Sequence, residues 1–279
     1  MTKNSIKNKI FKSTIKIIGN KGLSKNRLGK SVKERFIGNS KMNEIIVNGY
    51  KMQLDENDFM QMSLFDYEPM ETDIVKSTVK KNDVVIDVGA NIGYYTLLMA
   101  KNQASVFSYE PEPHNFVLLQ KNVILNDFSS NVILYNKAVS DFNGDSKLIL
   151  SGHMPGRHKL EKNRHGTNSI DVEVIKLNLE KIDFAKIDVE GSELHVLRGM
   201  KTLPNKMLIE FSSINLKESG TNPDDFFHFI EKYTIKEITK NGLIEPDYEV
   251  LIKNKMATNL FLYWCLLSSK FTVIDMLKK

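Results

Sequence analysis

Asp83-Val84-Val85-Ile86-Asp87-Val88-Gly89-Ala90-Asn91-Ile92-Gly93 decides the reading of this chain. An apolar run ends in an acid, breaks at two glycines and passes into an amphipathic stretch, Ile92 to Lys101. A buried strand turning sharply into a helix gives this pattern. Downstream the unit repeats: Ser105 to Tyr109 reads as a strand, Pro113 to Asn126 as a helix with Phe116, Leu119 and Val123 on one face, and Val132 to Val139 as a third strand. Such alternation implies parallel strands joined by right-handed crossovers, hence a doubly wound α/β sheet. The pattern pauses at Ser146 to Leu150 and Val172 to Leu177, which read as a hairpin around a polar, His- and Arg-rich connection at 151–169. It resumes with a strand Phe184 to Val189, a helix from Ser192 through Gly199 and a strand Met207 to Phe211. A helix Pro223 to Lys232 and strands Thr234 to Ile238 and Asn259 to Cys265 complete it. Upstream, Asn43 to Leu54 alternates around Asn48-Gly49, a dipeptide that favours a tight turn, and predicts an accessory hairpin.

The 279 residues, 41% hydrophobic and 26% charged, suffice for one large domain with an extension. The expected division is a basic helical extension at 1–41 and a single α/β domain at 42–279. A lone Cys265 excludes a disulfide framework and a Cys-rich zinc site. The longest apolar stretch, Leu260 to Leu267, is far short of the roughly 20 residues that span a bilayer. Lysines recur from Lys3 to Lys16, unlike a secretory leader, so a cytoplasmic location is expected. The charge is uneven. Twelve basic residues against Glu34 leave residues 1–41 near +11, and the remainder, by difference from +5, near −6. Ile6, Ile10, Thr14, Ile17 and Ile18 recur at helical spacing there. That arm suits peripheral contact with an anionic membrane or RNA, or simple docking with its lysines solvated.

Gly89 allows close backbone approach to a ligand at the strand-to-helix turn, and Gly93 allows the helix to pack near the strand. The dinucleotide fingerprint requires a middle glycine where a pyrophosphate passes, and here that position is Asn91. A phosphate-free cofactor such as S-adenosylmethionine remains compatible. Glu110, about 20 residues beyond Gly89, ends the second strand where a carboxylate can accept both hydroxyls of a ribose, and Pro111 stops that strand. A purely structural role, with Glu110 capping the next helix, is the competing reading.

Alternation in Lys186-Ile187-Asp188-Val189-Glu190-Gly191-Ser192-Glu193 places Asp188 and Glu190 on one side at a strand's carboxyl end, with Glu210 ending the neighbouring strand. Converging carboxylates are costly unless they share protons, hold donors or bind cations. They could ionise a hydroxyl, orient a sugar, or coordinate Mg2+ through hard oxygens. Glu193 reads as a cap on the helix that follows.

Through Asp87 to Gly93, Tyr109-Glu110-Pro111, Ala138-Val139-Ser140 and Lys186 to Glu193, the chain resembles the FkbM family of S-adenosylmethionine-dependent methyltransferases over roughly residues 65–215. The resemblance implies a class I methyltransferase fold, a Rossmann-like three-layer sandwich with a mixed seven-stranded sheet, and O-methylation of hydroxyls on sugars, glycoconjugates or natural products. It implies that Asp87, Gly89, Ala90, Asn91 and Gly93 form the methionine-side loop, Glu110 the ribose ligand with Pro111 beside it, and Ala138 a wall near adenine. Where relatives often carry an acid pair, this chain has Leu177-Asn178-Leu179, so no role is carried over there.

Asp188 and Glu190 are the best-placed bases for an acceptor hydroxyl, with Glu210 beside them and His153, His158, His165 and His195 as reserves. The expected acceptor is a small molecule, glycan or glycolipid. Nucleic acid is disfavoured because Asp188-Val189-Glu190-Gly191 offers no aromatic platform for a flipped base. A non-catalytic module would not need both the cofactor loop and the carboxylates.

Overall fold

The computed structural model describes residues 44–56, 58, 60, 62, 66–150, 159–161, 168–254 and 256–264. The basic arm, most of the 151–167 connection with His153, His158 and His165, and Cys265 lie outside the described residues. In chain order the first elements are β1 (Glu44–Val47), β2 (Tyr50–Gln53), α1 (Pro69–Thr78), β3 (Val84–Val88), α2 (Tyr94–Lys101), β4 (Ser105–Tyr109), α3 (Pro113–Leu125) and β5 (Val132–Tyr135). Then come β6 (Ala138–Val139), β7 (Gly144–Ile149), β8 (Lys159–Glu161), β9 (Ser169–Ile175), β10 (Phe184–Ile187), α4 (Glu193–Arg198) and β11 (Lys206–Phe211). The last described elements are α5 (Ser213–Glu218), α6 (Pro223–Phe229), β12 (Tyr233–Thr239), β13 (Gly242–Ile244), α7 (Tyr248–Lys253) and β14 (Thr258–Trp264).

The main sheet has the order β13-β12-β14-β11-β10-β3-β4-β5. β3, β4, β5, β10 and β11 are parallel, and β14 inserts antiparallel between β11 and β12. This is the expected mixed three-layer sandwich with one strand more than the seven anticipated. The extra one, β13, folds back on β12 across Lys240 and Asn241. A second correction concerns Val132 to Val139. The run is not one strand: β5 joins the main sheet, whereas β6 pairs with β9 in a separate four-stranded sheet of order β6-β9-β7-β8. Asn136 marks the break, its Nδ2 donating to the carbonyls of Glu110 and Pro111 at 2.8 and 3.0 Å.

Alternation along each strand sends side chains to two cores. Val85, Phe184 and Leu208 face α1, α2 and α3 with Ile74, Leu97, Leu119 and Val123. Ile86, Ala185, Ile187 and Ile209 face α4, α5 and α6 with Leu194, Leu216 and Phe226. Both faces of the central strands are therefore apolar, as a covered parallel sheet requires. Helix entry follows local chemistry. Pro69 and Pro113 stand in the first turns of α1 and α3, where a missing N–H costs nothing. The α3 cap is Glu112, whose carboxylate accepts from the His114 and Asn115 amides at 3.0 and 2.7 Å, leaving Glu110 for another task.

The predicted hairpin is β1–β2, turning at Asn48 and Gly49, both with positive φ. Its outer edge meets Asn122 of α3 and Asn126, which caps that helix. Asn122 exchanges hydrogen bonds with the N–H and C=O of Gln53 (2.6 and 2.9 Å), and Asn126 does the same with Lys51 (2.8 and 2.7 Å). At the opposite edge, Trp264, the one tryptophan of the chain, ends β14 and packs on Tyr233 with ring centroids 4.8 Å apart.

Candidate active site

The order of strands reverses at β3, whose crossover through α2 leads to β4 on one side while β10 and β11 lie on the other. Ligands of open α/β sheets sit at the carboxyl ends of strands at such a point. A cavity of about 430 Å3 opens there. Of the residues anticipated from the sequence, Asp87, Gly89, Ala90, Asn91, Glu110, Pro111, Ala138, Asp188, Glu190 and Glu210 all line it. Gly93 does not. It caps α2 behind the loop, where an added Cβ would stand 2.6 Å from Leu119 Cδ1, so its role is packing.

The loop after β3 is held from both sides. The Gly89 and Ala90 amides donate to the Tyr109 carbonyl at 3.0 and 3.1 Å. Gly89 has φ +81, and a Cβ there would lie 1.9 Å from the Asp188 carbonyl oxygen. That residue must be glycine because the loop after β3 and the carboxylate loop touch at it. The Asn91 amide donates to Glu110 Oε2 at 2.8 Å and the Glu112 amide to Glu110 Oε1 at 2.9 Å. Each Glu110 oxygen thus keeps a further acceptor position toward the cavity. Burial pushes the Glu110 carboxyl up to about 7 despite these amides. Asp87, deeper in the strand, accepts from Thr96 Oγ1 at 2.6 Å, and burial raises it to about 6.

On the other side, Lys186 pairs in register with Asp87 across β3 and β10, and with Leu208 across β10 and β11. Its side chain therefore enters the same layer as Asp87 and Glu210. Only 2% exposed, it holds Asp188 Oδ2 at 3.0 Å and lies 5.3 Å from the centre of the Tyr95 ring. Burial pushes the Lys186 ammonium down, but the Asp188 and Glu68 carboxylates overcome this and hold it above its ordinary value. Glu210 is shifted by the same crowding. Burial, then repulsion from Asp188 and Glu190, lifts it to about 9, so it is protonated at neutral pH. Glu190 is left-handed (φ 51) and takes a hydrogen bond from Asn215 Nδ2 at 2.7 Å. One oxygen each of Asp188, Glu190 and Glu210 falls within 4.8 Å of the others, a spacing a divalent cation could bridge. Glu193, expected as a cap, turns back to the loop: its Oε1 accepts from the Gly191 amide at 3.0 Å, and burial raises it to about 7. His195 stands on α4 outside the cavity lining.

Sequence reasoning missed the wall opposite Asp188. Tyr67 and Glu68, just ahead of α1, line the cavity with Tyr95. Tyr95 Oη donates to Glu68 Oε2 at 2.5 Å, while the Tyr94 and Thr72 hydroxyls both donate to the Tyr67 carbonyl at 3.2 Å. No periodicity marks that segment. Lys186 was detectable, as the lone charge inside the apolar run Phe184–Ile187.

Residues 87–237 match the family model described as the methyltransferase FkbM domain. Among curated relatives, methyltransferase sdnD of Sordaria araneosa is 30% identical, the match covering 44% of this chain and 62% of that protein. The hexuronic acid methyltransferase AglP of Haloferax volcanii is 29% identical over 61% of this chain and 72% of its own length. A tRNA(Phe) (4-demethylwyosine(37)-C(7)) aminocarboxypropyltransferase of Pyrococcus horikoshii is 28% identical, with 52% of each chain covered. The chain thus spans between about half and three-quarters of these relatives' lengths.

Proposed function

Because this chain belongs to the FkbM methyltransferase family, we propose that it is an S-adenosylmethionine-dependent O-methyltransferase acting on a hydroxyl of a sugar, glycoconjugate or natural product. The observation that carries the reading is the charge of the cavity. Among the described residues six carboxyl groups line it (Glu68, Asp87, Glu110, Asp188, Glu190 and Glu210), against the two lysines Lys137 and Lys186. Lys137 is already paired with Glu173 at 2.6 Å and Lys186 with Asp188. Such a cavity favours a cationic ligand and opposes a pyrophosphate. The cofactor, when bound, supplies a methyl group on a sulfonium that departs without needing a proton.

In this reading Asp87, Gly89, Ala90 and Asn91 shape the methionine side, with Gly93 fixing the helix behind them. Glu110 accepts the ribose hydroxyls, and Pro111 and Ala138 flank the adenine. Asp188, held in place by Lys186, takes the acceptor hydroxyl's proton with Glu190 beside it, and neutral Glu210 donates a hydrogen bond to the acceptor. Lys186 brings a fixed positive charge to this trio, so turnover is expected to survive EDTA. Loss of turnover on chelation, restored by Mg2+, would reassign the three acids as metal ligands. Methyl transfer to bulk tRNA in preference to sugars would select the alternative acceptor, which the +11 balance of residues 1–41 favours.

Calorimetric titration with S-adenosylhomocysteine, with NADH in parallel, tests the cofactor assignment. Micromolar binding of the former alone, weakened at least about tenfold in Glu110→Ala, is expected from the loss of a charged hydrogen-bond acceptor. Preference for NADH would overturn the reading.

A further inference from the structure

The site has two halves of different origin. The half on the β4 side, around Gly89 and Glu110, lies within the residues that match the family model, 87–237. The half on the β10 and β11 side is closed by Tyr67 and Glu68, which precede that region. We propose that Tyr67, Glu68 and Tyr95 form an acceptor subsite beside Asp188, built for an uncharged polyhydroxylated ring and closed to a uronate. The proposal rests on the methyl-transfer reading above, whose acceptor must lie on this side because Glu110 commits the other to the cofactor.

Three features carry it. First, the wall is fixed. Glu68 adopts φ 40, an uncommon left-handed conformation for a residue with a side chain. It is tied by the Tyr95 hydroxyl, and the Thr72 amide donates to its carbonyl at 2.8 Å. Second, the chemistry of the lining is one-sided. Burial shifts the Glu68 carboxyl upward while Lys186 opposes the shift; carboxylate oxygens accept hydrogen bonds, so Glu68 and Asp188 call for donors, and ring hydroxyls supply them. The half-buried Tyr67 ring gives an apolar surface for the C–H face of such a ring, while Tyr95, buried with Lys186 over its face, backs the wall. Third, the positive charge is committed. Among the described residues the ammonium at this end is Lys186, bound to Asp188 at 3.0 Å and further offset by Glu68. An acceptor carboxylate would face Glu68, Asp188 and Glu190 in a partly buried cavity, where like charges repel strongly. This specificity is the reverse of the one in the name of the Haloferax relative.

Full-length protein saturated with S-adenosylhomocysteine is titrated by saturation-transfer NMR with the methyl glycosides of glucose, galactose and mannose, and with methyl glucuronide. At least one neutral glycoside is expected to bind, and about tenfold more tightly than the glucuronide. Glu68→Gln should weaken that binding about tenfold while changing the affinity for S-adenosylhomocysteine less than about twofold. Tyr67→Ala should do likewise, and thermal melts of both variants confirm folding. Equal or tighter binding of the glucuronide would overturn the proposal. So would the absence of any neutral binder, or glycoside binding indifferent to Glu68→Gln. If S-adenosylhomocysteine itself fails to bind, the cofactor reading falls, and the same titrations without it still judge the subsite.

Discussion

Glu110 shows how a single side chain sets the conditions for the whole site. Its carboxyl, pushed up to about 7 by burial, is half protonated near neutrality in the free protein. Only the ionised form keeps every lone pair for hydroxyl donors. Affinity for S-adenosylhomocysteine should therefore be greatest above about pH 8 and fall as pH drops through 7, approaching tenfold per unit at the steepest. Glu110→Gln should bind more weakly at high pH and lose most of this slope, which calorimetry at pH 6, 7 and 8 checks. Glu110 was legible in the sequence because an acid at a strand end stands out against an apolar run. Lys186 was harder to weigh. Only the register against Asp87 and Leu208 reveals that it points into the same layer as Glu210, and pairing across strands is not written in either strand alone. Tyr67 and Glu68 were illegible for a different reason: their position depends on hydroxyls of Tyr94, Tyr95 and Thr72, contacts with no local signature.

Periodicity revealed the elements with two covered faces, because burial on both sides demands an unbroken apolar run of strand length between turns. It joined β5 to β6 because apolar residues stand on both sides of Asn136-Lys137, and two polar residues alone do not distinguish a change of sheet from a strand that continues. β13 is three residues long and carries no pattern of its own. The asparagine ladder between α3 and β2 depends on a numerical match. Four helical residues rise about 6 Å and two strand residues about 6.8 Å, so amides at 122 and 126 reach the backbone at 53 and 51. Side chains of a helix thereby cover an edge strand that would otherwise be open to pairing with another chain. Asn122 is fully buried and also donates to the Ile92 carbonyl at 2.8 Å, tying the hairpin to the loop before α2. Asn122→Ala strands three backbone partners and should cost about 3 kcal/mol, against well under 1 kcal/mol for an exposed substitution such as Lys121→Ala. Urea denaturation at constant m-value would measure both.

At the scale of the molecule, one sheet separates two cores, and the site occupies the end of the sheet at which the parallel strands finish. Fold class followed from alternation and from two glycines, and the half of the site proposed for the cofactor lies along the same strands and turn. The half proposed for the acceptor was not legible, since it is assembled from residues just ahead of the first described helix, from the second helix and from two strands that are distant in sequence. That geometry also fixes what light can report. β14 runs antiparallel to β11, so Trp264, which donates its amide to the Asn205 carbonyl at 3.1 Å, sits where the parallel strands begin. Glu210, which lines the cavity, stands five residues beyond that level along β11, about 17 Å. Indole emission should therefore stay flat while the proposed cofactor site is filled, and shift when the sheet comes apart by less than a buried indole would, since Trp264 is already 42% exposed. Saturation with S-adenosylhomocysteine that moved the emission maximum would mean that ligand binding is transmitted along the strands to the far end. A flat response would make this chromophore a clean reporter of unfolding, blind to occupancy.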